Sequence, residues 1–267
     1  HTHVWAAPDG PAASAERGGP MPALCSLLRL TALLALLAGA DAVALTMKYF
    51  NARGAAEISR VLLAISGTEY SDHRYEIVTK EGGGGFSTPE FAADKESGAL
   101  AANLDRAPVL LVGDQPVGQS KAMERYIATQ AGLMGATPLE AALIDSVAEH
   151  VRDVRDAQAR KGFGMFNRDK SDEEKAALKD EWYTNDLPSW LQRMERCVAP
   201  IHDVVCGETP SYGAVCIWAL LREGKDEDVA RVSTAADGCV TLNAIADAVA
   251  EHPAVKEWLA SRPVTMM

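Results

Sequence analysis

Apolar positions along this chain change their period near residue 135, from short strand-like runs to helical stripes. Residues 45–50 read as a short strand, and Arg53-Gly54 turns the chain. Ile58, Val61, Leu62 and Ile65 then share one face of a helix predicted over 55–66, which Gly67 stops. His73, Tyr75 and Ile77 alternate with Arg74, Glu76 and Val78, the period of a second strand. A strand–helix–strand order implies a right-handed parallel crossover. The glycine run 82–85 reads as a flexible loop tip, and a short helical region follows over 89–102. After Pro108 an apolar strand, Val109 to Val112, meets a Gly113-Asp114 turn that sends the chain back. A helix over 121–130 comes next, with Gly132 beyond its end.

From Thr137 strand patterns fade. Ile144, Val147, Val151 and Val154 form one stripe, with Asp145, Glu149, Arg152, Asp153 and Asp156 largely elsewhere. Ser171-Asp172-Glu173-Glu174 is a capping box opening another helix, which Pro188 is expected to interrupt or kink. Further helices are predicted over 211–222, 244–250 and 254–261, and the sequence has no internal repeats. The pattern is an α/β half joined to an all-helical half near 133–137.

A chain of 267 residues can bury a sizeable core in one or two domains, and 48% hydrophobic with 24% charged residues is ordinary for a globular protein. The formal net charge of −11, with no Lys/Arg-rich run to offset it, argues against nucleic acid as a partner. Cys25, Cys197, Cys206, Cys216 and Cys239 have no metal-like spacing and make no complete disulfide set, so they read as buried free thiols.

Residues 1–20 are rich in Ala, Gly and Pro, and are expected to be disordered. Arg29 then precedes an apolar run over 30–40, and Ala42-Val43-Ala44 has the small-x-small form of a signal-peptidase site. The run is short for a stable membrane span, although 22–44 as a whole also reads as a signal anchor. Residues 1–44 are therefore set outside the fold, with 21–44 as a targeting leader and translated non-native sequence as the alternative. Because the first residue is His1, a fragment or an over-extended translation is expected.

The densest chemistry lies between Arg106 and Tyr126, Arg-Ala-Pro-Val-Leu-Leu-Val-Gly-Asp-Gln-Pro-Val-Gly-Gln-Ser-Lys-Ala-Met-Glu-Arg-Tyr. Gln119 and Ser120 stand where an amphipathic helix begins, and a helix start presents unpaired N–H groups and partial positive charge to a carboxylate. With Tyr49-Phe50-Asn51-Ala52-Arg53-Gly54 upstream, this stretch resembles a glutathione S-transferase, in particular the sigma-like, Tyr-type class. His252-Pro253-Ala254-Val255-Lys256-Glu257-Trp258 looks like that family's closing segment, so the resemblance spans roughly 45–263.

The resemblance implies an α/β thioredoxin-like N-terminal domain over 45–132 and an all-α helical C-terminal domain over 137–267. It implies a detoxifying transferase acting on glutathione, as co-substrate, and an electrophilic small molecule, in a homodimer. The thiolate is the reactive form, and a free thiol is only a few per cent ionised at neutral pH. Tyr49 matches the tyrosine whose O–H stabilises that thiolate, and Phe50 follows it in the same binding strand. Relatives usually run Leu-Thr straight into Tyr-Phe, so the extra residue before Tyr49 predicts a small bulge or a shifted strand start. Pro108 resembles a cis-proline that lets the Ala107 backbone pair with the cysteinyl part of glutathione. Ser120 and the helix-start N–H groups would take the γ-glutamyl carboxylate, with an amide contact from Gln119. A plain N-cap role for Ser120 is the alternative.

Phe91 and Lys95 keep the spacing of the pair that grips the glycyl end, with surface residues as the alternative, and Arg106 replaces a lysine before the proline. Ala55 stands where some relatives carry an arginine. Asp153 falls where relatives send an aspartate to the partner subunit's ligand, or else on a solvated helix face. In prostaglandin D synthase-like members this region binds divalent metal. Arg152 replaces one of its carboxylates here, so no metal is expected. A thiol–disulfide oxidoreductase is disfavoured because no cysteine lies between Tyr49 and Gly132. A glutathione-dependent isomerase or peroxidase and a crystallin-like binding homologue are the alternatives to a transferase. Family membership implies the cytoplasm, and a native leader would imply the secretory pathway.

Overall fold

Strand β1 (Leu45–Phe50) organises the amino-terminal half, because both of its faces are put to use. Met47 is fully buried, and Leu45 and Tyr49 pack on the same core. Lys48 and Phe50, on the alternate face, meet Asp94 and Phe91. The computed structural model describes residues 43–80, 86–164 and 167–265. The expected leader and the 82–85 loop tip lie outside the described residues.

After β1 comes a single 3-10 turn (Gly54–Ala56) and then α1 (Glu57–Ser66), ended by Gly67 in the left-handed region at φ 62°. The chain returns through β2 (Ser71–Tyr75), parallel to β1 as the crossover requires. A small hairpin, β3 (Val78–Thr79) with β4 (Phe86–Ser87), precedes α2 (Pro89–Glu96) and a 3-10 turn (Ala101–Asn103). Then β5 (Val109–Val112) and β6 (Gln115–Gly118) form the predicted hairpin, and α3 (Ser120–Gln130) follows. The sheet order is β2-β1-β5-β6, the thioredoxin-like arrangement expected.

No bulge absorbs the extra residue before Tyr49. Pairing runs without interruption from Thr46↔Ser71 to Phe50↔Tyr75 on one side and from Leu45↔Val112 to Lys48↔Val109 on the other.

The helical half opens with α4 (Pro138–Lys161), started by a complete Thr137–Glu140 capping box. Its stripe Ile144, Val147, Val151 and Val154 is buried as predicted. The expected box at Ser171 is also present, opening α5 (Asp172–Glu181). Ahead of Pro188 the α-helix is interrupted, as expected. A π-helical turn (Trp182–Asp186) runs into α6 (Leu187–Val198), and the proline sits in that helix's first turn.

A short α7 (His202–Val205) leads to α8 (Tyr212–Leu221), in which every residue is buried. Two helices, α10 (Val240–Glu251) and α11 (Pro253–Ser261), close the chain where sequence placed them. Before them, α9 (Asp226–Ala235) was not anticipated, because it buries only Ala235 and its apolar pattern is thin. One hydrophobic cluster runs from Met47 and Leu62 through Val151 and Trp218 to Val255, so both halves share a core. Among the described residues no helix is long and apolar enough to cross a membrane.

Ser211 caps α8 by accepting the Ala214 N–H at 3.3 Å, without a reciprocal carboxylate. Ser211→Ala is expected to lower stability by about 1 kcal/mol, read from the urea midpoint at unchanged slope.

Candidate active site

Tyr49 ends the inward face of β1, and the loop after it folds back over its hydroxyl. The Ala55 N–H donates to the Tyr49 oxygen at 3.1 Å. A Cβ at Gly54, whose φ is +41°, would lie 2.5 Å from that oxygen, so the close approach requires glycine. Since the phenol accepts from the backbone, its own O–H remains a donor.

The loop is held from beneath by Arg60, a side chain 0% exposed in α1. Arg60 donates to the Ala52 carbonyl at 2.7 Å and to both Asp72 oxygens at 3.1 and 3.2 Å, and its guanidinium carbon lies 5.9 Å from the Tyr49 ring centroid. Sequence reading passed over Arg60. Its mark in the sequence is a charge in the middle of a helix that is otherwise apolar on that side, paired with Glu57 one turn earlier.

On the other side of the site, the Ala107–Pro108 peptide is cis, as the resemblance implied. Among the described residues the Ala107 N–H and C=O have no backbone partner. Buried Asn103 ties this bend to the start of α3. Its amide donates to the Pro108 carbonyl at 2.8 Å, and its oxygen accepts the Gln119 N–H at 3.0 Å. Gln119 is thereby held at φ 68°, a region a non-glycine residue enters only when its surroundings dictate it. Close packing contributes as well, since a Cβ at Gly118 would stand 2.2 Å from the Ala102 carbonyl.

Gln119 is exposed, and half-buried Ser120 is the first residue of α3. Ser120 is thus inside the helix rather than at its cap position, and no side chain caps that end. Asn103 was missed because its role depends on two segments that meet only in the fold.

Phe91 belongs to an aromatic cluster with Phe50 and Tyr75, at centroid distances of 4.9 and 5.6 Å, that fastens α2 to the sheet. Lys95 is exposed on the same helix, and Arg106 is exposed with its Nε donating to the Asn103 carbonyl at 3.3 Å. Between them, Asp94 accepts from Lys48 at 2.7 Å and from Tyr75 at 2.6 Å, which holds its carboxyl below the usual range.

On α4, Asp145 and Glu149 are both bound by Arg125, and Glu149 also by Arg152 at 2.6 Å. The carboxylates of this region are therefore already paired with arginines. Asp153 is exposed beside them and takes no intrachain partner among the described residues.

A cleft of about 580 Å³ opens between the halves, lined by Gly54 and Ala55 from the Tyr49 loop, by Ser120, and by Arg155 and Ala219 from the helical half. Its wall includes Glu124, 1% exposed, which accepts from Lys121 at 2.8 Å and from the buried Tyr212 hydroxyl at 2.9 Å. Burial raises the Glu124 pKa above the ordinary range, and Lys121, Tyr212 and Arg155 only partly oppose it. The adjacent Cys216 thiol, fully enclosed, is pushed up to about 12, mainly by desolvation.

Family models for the N-terminal and C-terminal domains of glutathione S-transferase match residues 45–129 and 157–262. The hematopoietic prostaglandin D synthase of Gallus gallus is 30% identical over 223 residues, covering 82% of this chain and 96% of that protein. A glutathione S-transferase P of Caenorhabditis elegans is 29% identical over 221 residues, with 82% and 93% covered. The chain belongs to the glutathione S-transferase family. A solved structure of the family, NaGST-2, superimposes with a TM-score of 0.64 at 26% identity, covering 84% of this chain and all of that one. The chain thus carries the family's two-part fold, with Tyr49 on β1, Pro108 just before β5, and Gln119 and Ser120 at the start of α3.

Glu124 sets a pH dependence. Its folded-state pKa lies above the unfolded value, so the folded state holds the proton longer, and stability falls as pH rises through the folded value. Between about pH 5 and pH 8 the wild type is expected to lose more stability than Glu124→Gln, measured by urea denaturation across that range.

Proposed function

We propose that this protein is a glutathione transferase that adds the glutathione thiolate to electrophilic small molecules, with the Tyr49 hydroxyl stabilising the thiolate. The observation that carries this reading is the Ala55 N–H donating to the Tyr49 oxygen at 3.1 Å. Because that bond occupies the oxygen as an acceptor, the phenolic hydrogen is left to donate to sulfur. A fixed donor to the sulfur anion favours the ionised form, and so supplies nucleophile at neutral pH. The thiol proton leaves to solvent and the sulfur electron pair forms the S–C bond. With a chloroarene, chloride departs carrying the bonding pair.

The remaining contacts follow the chain's own geometry. The unpaired Ala107 N–H and C=O suit the cysteinyl part of glutathione in strand-like pairing. Ser120 and the first N–H groups of α3 suit the γ-glutamyl carboxylate, with Gln119 at its amide. Phe50 and Phe91 form an aromatic wall on the glycyl side, with Lys95 and Arg106 as exposed cations near it. Domain limits of 45–132 and 137–267 belong to this reading. So does a homodimer in which Asp153, exposed and without an intrachain partner, reaches the glutamyl amine of the partner's ligand. Glutathione-dependent isomerisation is a second reading, favoured by the 30% identity to a prostaglandin D synthase. It uses the same thiolate and differs in the second substrate.

Conjugation of glutathione to chlorodinitrobenzene tests the first reading. Tyr49→Phe is expected to lower kcat/KM by about 100-fold with little change in glutathione affinity. Tight glutathione binding without turnover in the wild type would instead mark a binding protein, and equal rates for Tyr49→Phe would remove the tyrosine from the mechanism.

In a dimer confirmed by sedimentation, Asp153→Ala is expected to weaken glutathione binding by about tenfold in calorimetry. An unchanged affinity refutes the cross-subunit contact.

A further inference from the structure

We propose that the second substrate of this site is an amphipathic carboxylate whose charged end is held by Arg155 and whose apolar body lies beside Tyr183, Leu220, Val229 and Val232. This inference rests on the transferase reading above and names the substrate class that the reading leaves open.

Among the described residues most charges lining the cleft are paired, and two cations are not. Glu57 is paired with Arg60 and Arg262, and Glu223 with Arg53 and Arg262. Glu124 is paired with Lys121, and Asp228 with Lys179 at 2.7 Å. Arg155 has no carboxylate partner among the described residues. Among the described residues its one side-chain hydrogen bond is a donation from a terminal nitrogen to the Ala219 carbonyl at 2.9 Å. A guanidinium carries five N–H donors in a planar fork, so most of that donor set is left for a ligand. Oxoanions of carboxylate geometry take such a fork through two parallel bonds. Lys225, exposed on the cleft wall, adds a second cation without a carboxylate partner among the described residues.

Position supports the same assignment. Arg155 lines the main cleft together with Ser120 and the Gly54–Ala55 turn, so a group bound there lies in the same cleft as the Tyr49 loop. It also lines a second lobe of about 190 Å³, shared through Ala219, Glu223, Gly224 and Asp228. Beside its polar residues, the second lobe is lined by Leu220, Val229, Val232 and Tyr183. Tyr183 is presented by the π-helical turn at Trp182–Asp186, and Arg231 stacks on its ring at 4.6 Å. The main cleft's volume is within the range of small-molecule sites, about 300–1,000 Å³. Arg155 is exposed in the cleft, so its side chain is reachable by a ligand.

The test is equilibrium binding, so that it does not depend on turnover. Phenylbutyrate and its uncharged amide are titrated by calorimetry into the wild type, with S-methylglutathione present and absent. The acid is expected to bind about tenfold more tightly than the amide. Arg155→Gln should abolish that preference while leaving the amide and S-methylglutathione affinities unchanged. Val232→Phe, which fills the apolar lobe, should weaken acid and amide alike. If the glutamine variant fails to fold, Arg155→Lys keeps the charge but loses the fork, and the acid-to-amide ratio should fall several-fold.

Equal affinities for acid and amide in the wild type overturn the proposal. So does a preserved ratio in the Arg155 variants, including the case where they lose S-methylglutathione instead, which would assign the guanidinium to the tripeptide. Failure of the wild type to bind S-methylglutathione, with the acid preference intact, would count against the transferase reading and leave the carboxylate site standing.

Discussion

The fully buried guanidinium of Arg60 is the interaction on which the site's geometry depends. It joins three pieces of chain that are not neighbours in sequence: the Ala52–Arg53 loop, the Asp72 carboxylate on β2, and Glu57 on its own helix. A buried cation is tolerated only when its donors are satisfied, and removal of one partner of such a pair is strongly destabilising. The loop therefore has little freedom to move away from the Tyr49 hydroxyl. Glu57 extends the network into the helical half, where the Trp258 indole and Arg262 donate to it at 2.9 and 2.7 Å. Arg262 in turn pairs with Glu223, which also holds Arg53. The same residues that place the tyrosine loop thus fasten the last helices across it.

Asn103 does for the opposite wall what Arg60 does for the tyrosine loop. One side-chain amide satisfies the carbonyl of the cis-proline and the N–H of Gln119, and so fixes the distance between the strand-like bend and the start of α3. Each buried polar group at these two joints has a partner, as unpaired ones would cost about 1–3 kcal/mol each. Backbone rigidity on both walls suits a site whose ligand is a short peptide, because preformed donors and acceptors reduce what binding must order.

Much of this was legible in the sequence, and for local reasons. The Gly113-Asp114 turn, the Gly67 stop and the Ser171 capping box depend on neighbours within a few residues, and all three formed as read. Resemblance carried the cis peptide before Pro108, which composition alone would not have suggested. Two local expectations each allowed more than one outcome, and the structure chose between them. The helix is interrupted ahead of Pro188 by a π-helical turn, and the proline sits in the first turn of the helix that follows. The extra residue ahead of Tyr49 is taken up without a bulge, because β1 is paired on both sides.

By itself, then, the sequence determined the two-part architecture, the strand that carries Tyr49 and the helix start at Gln119–Ser120. Periodicity, caps and turns are properties of adjacent residues, and a linear reading reaches them. Tertiary structure alone decided which charges are spent on one another and which are not. Glu124 is buried against Tyr212, across 88 positions of sequence, while Arg155 faces the cleft without a carboxylate partner among the described residues. Electrostatic pairing depends on distance through space and on exclusion of water, and neither exists until the two halves close on a common core.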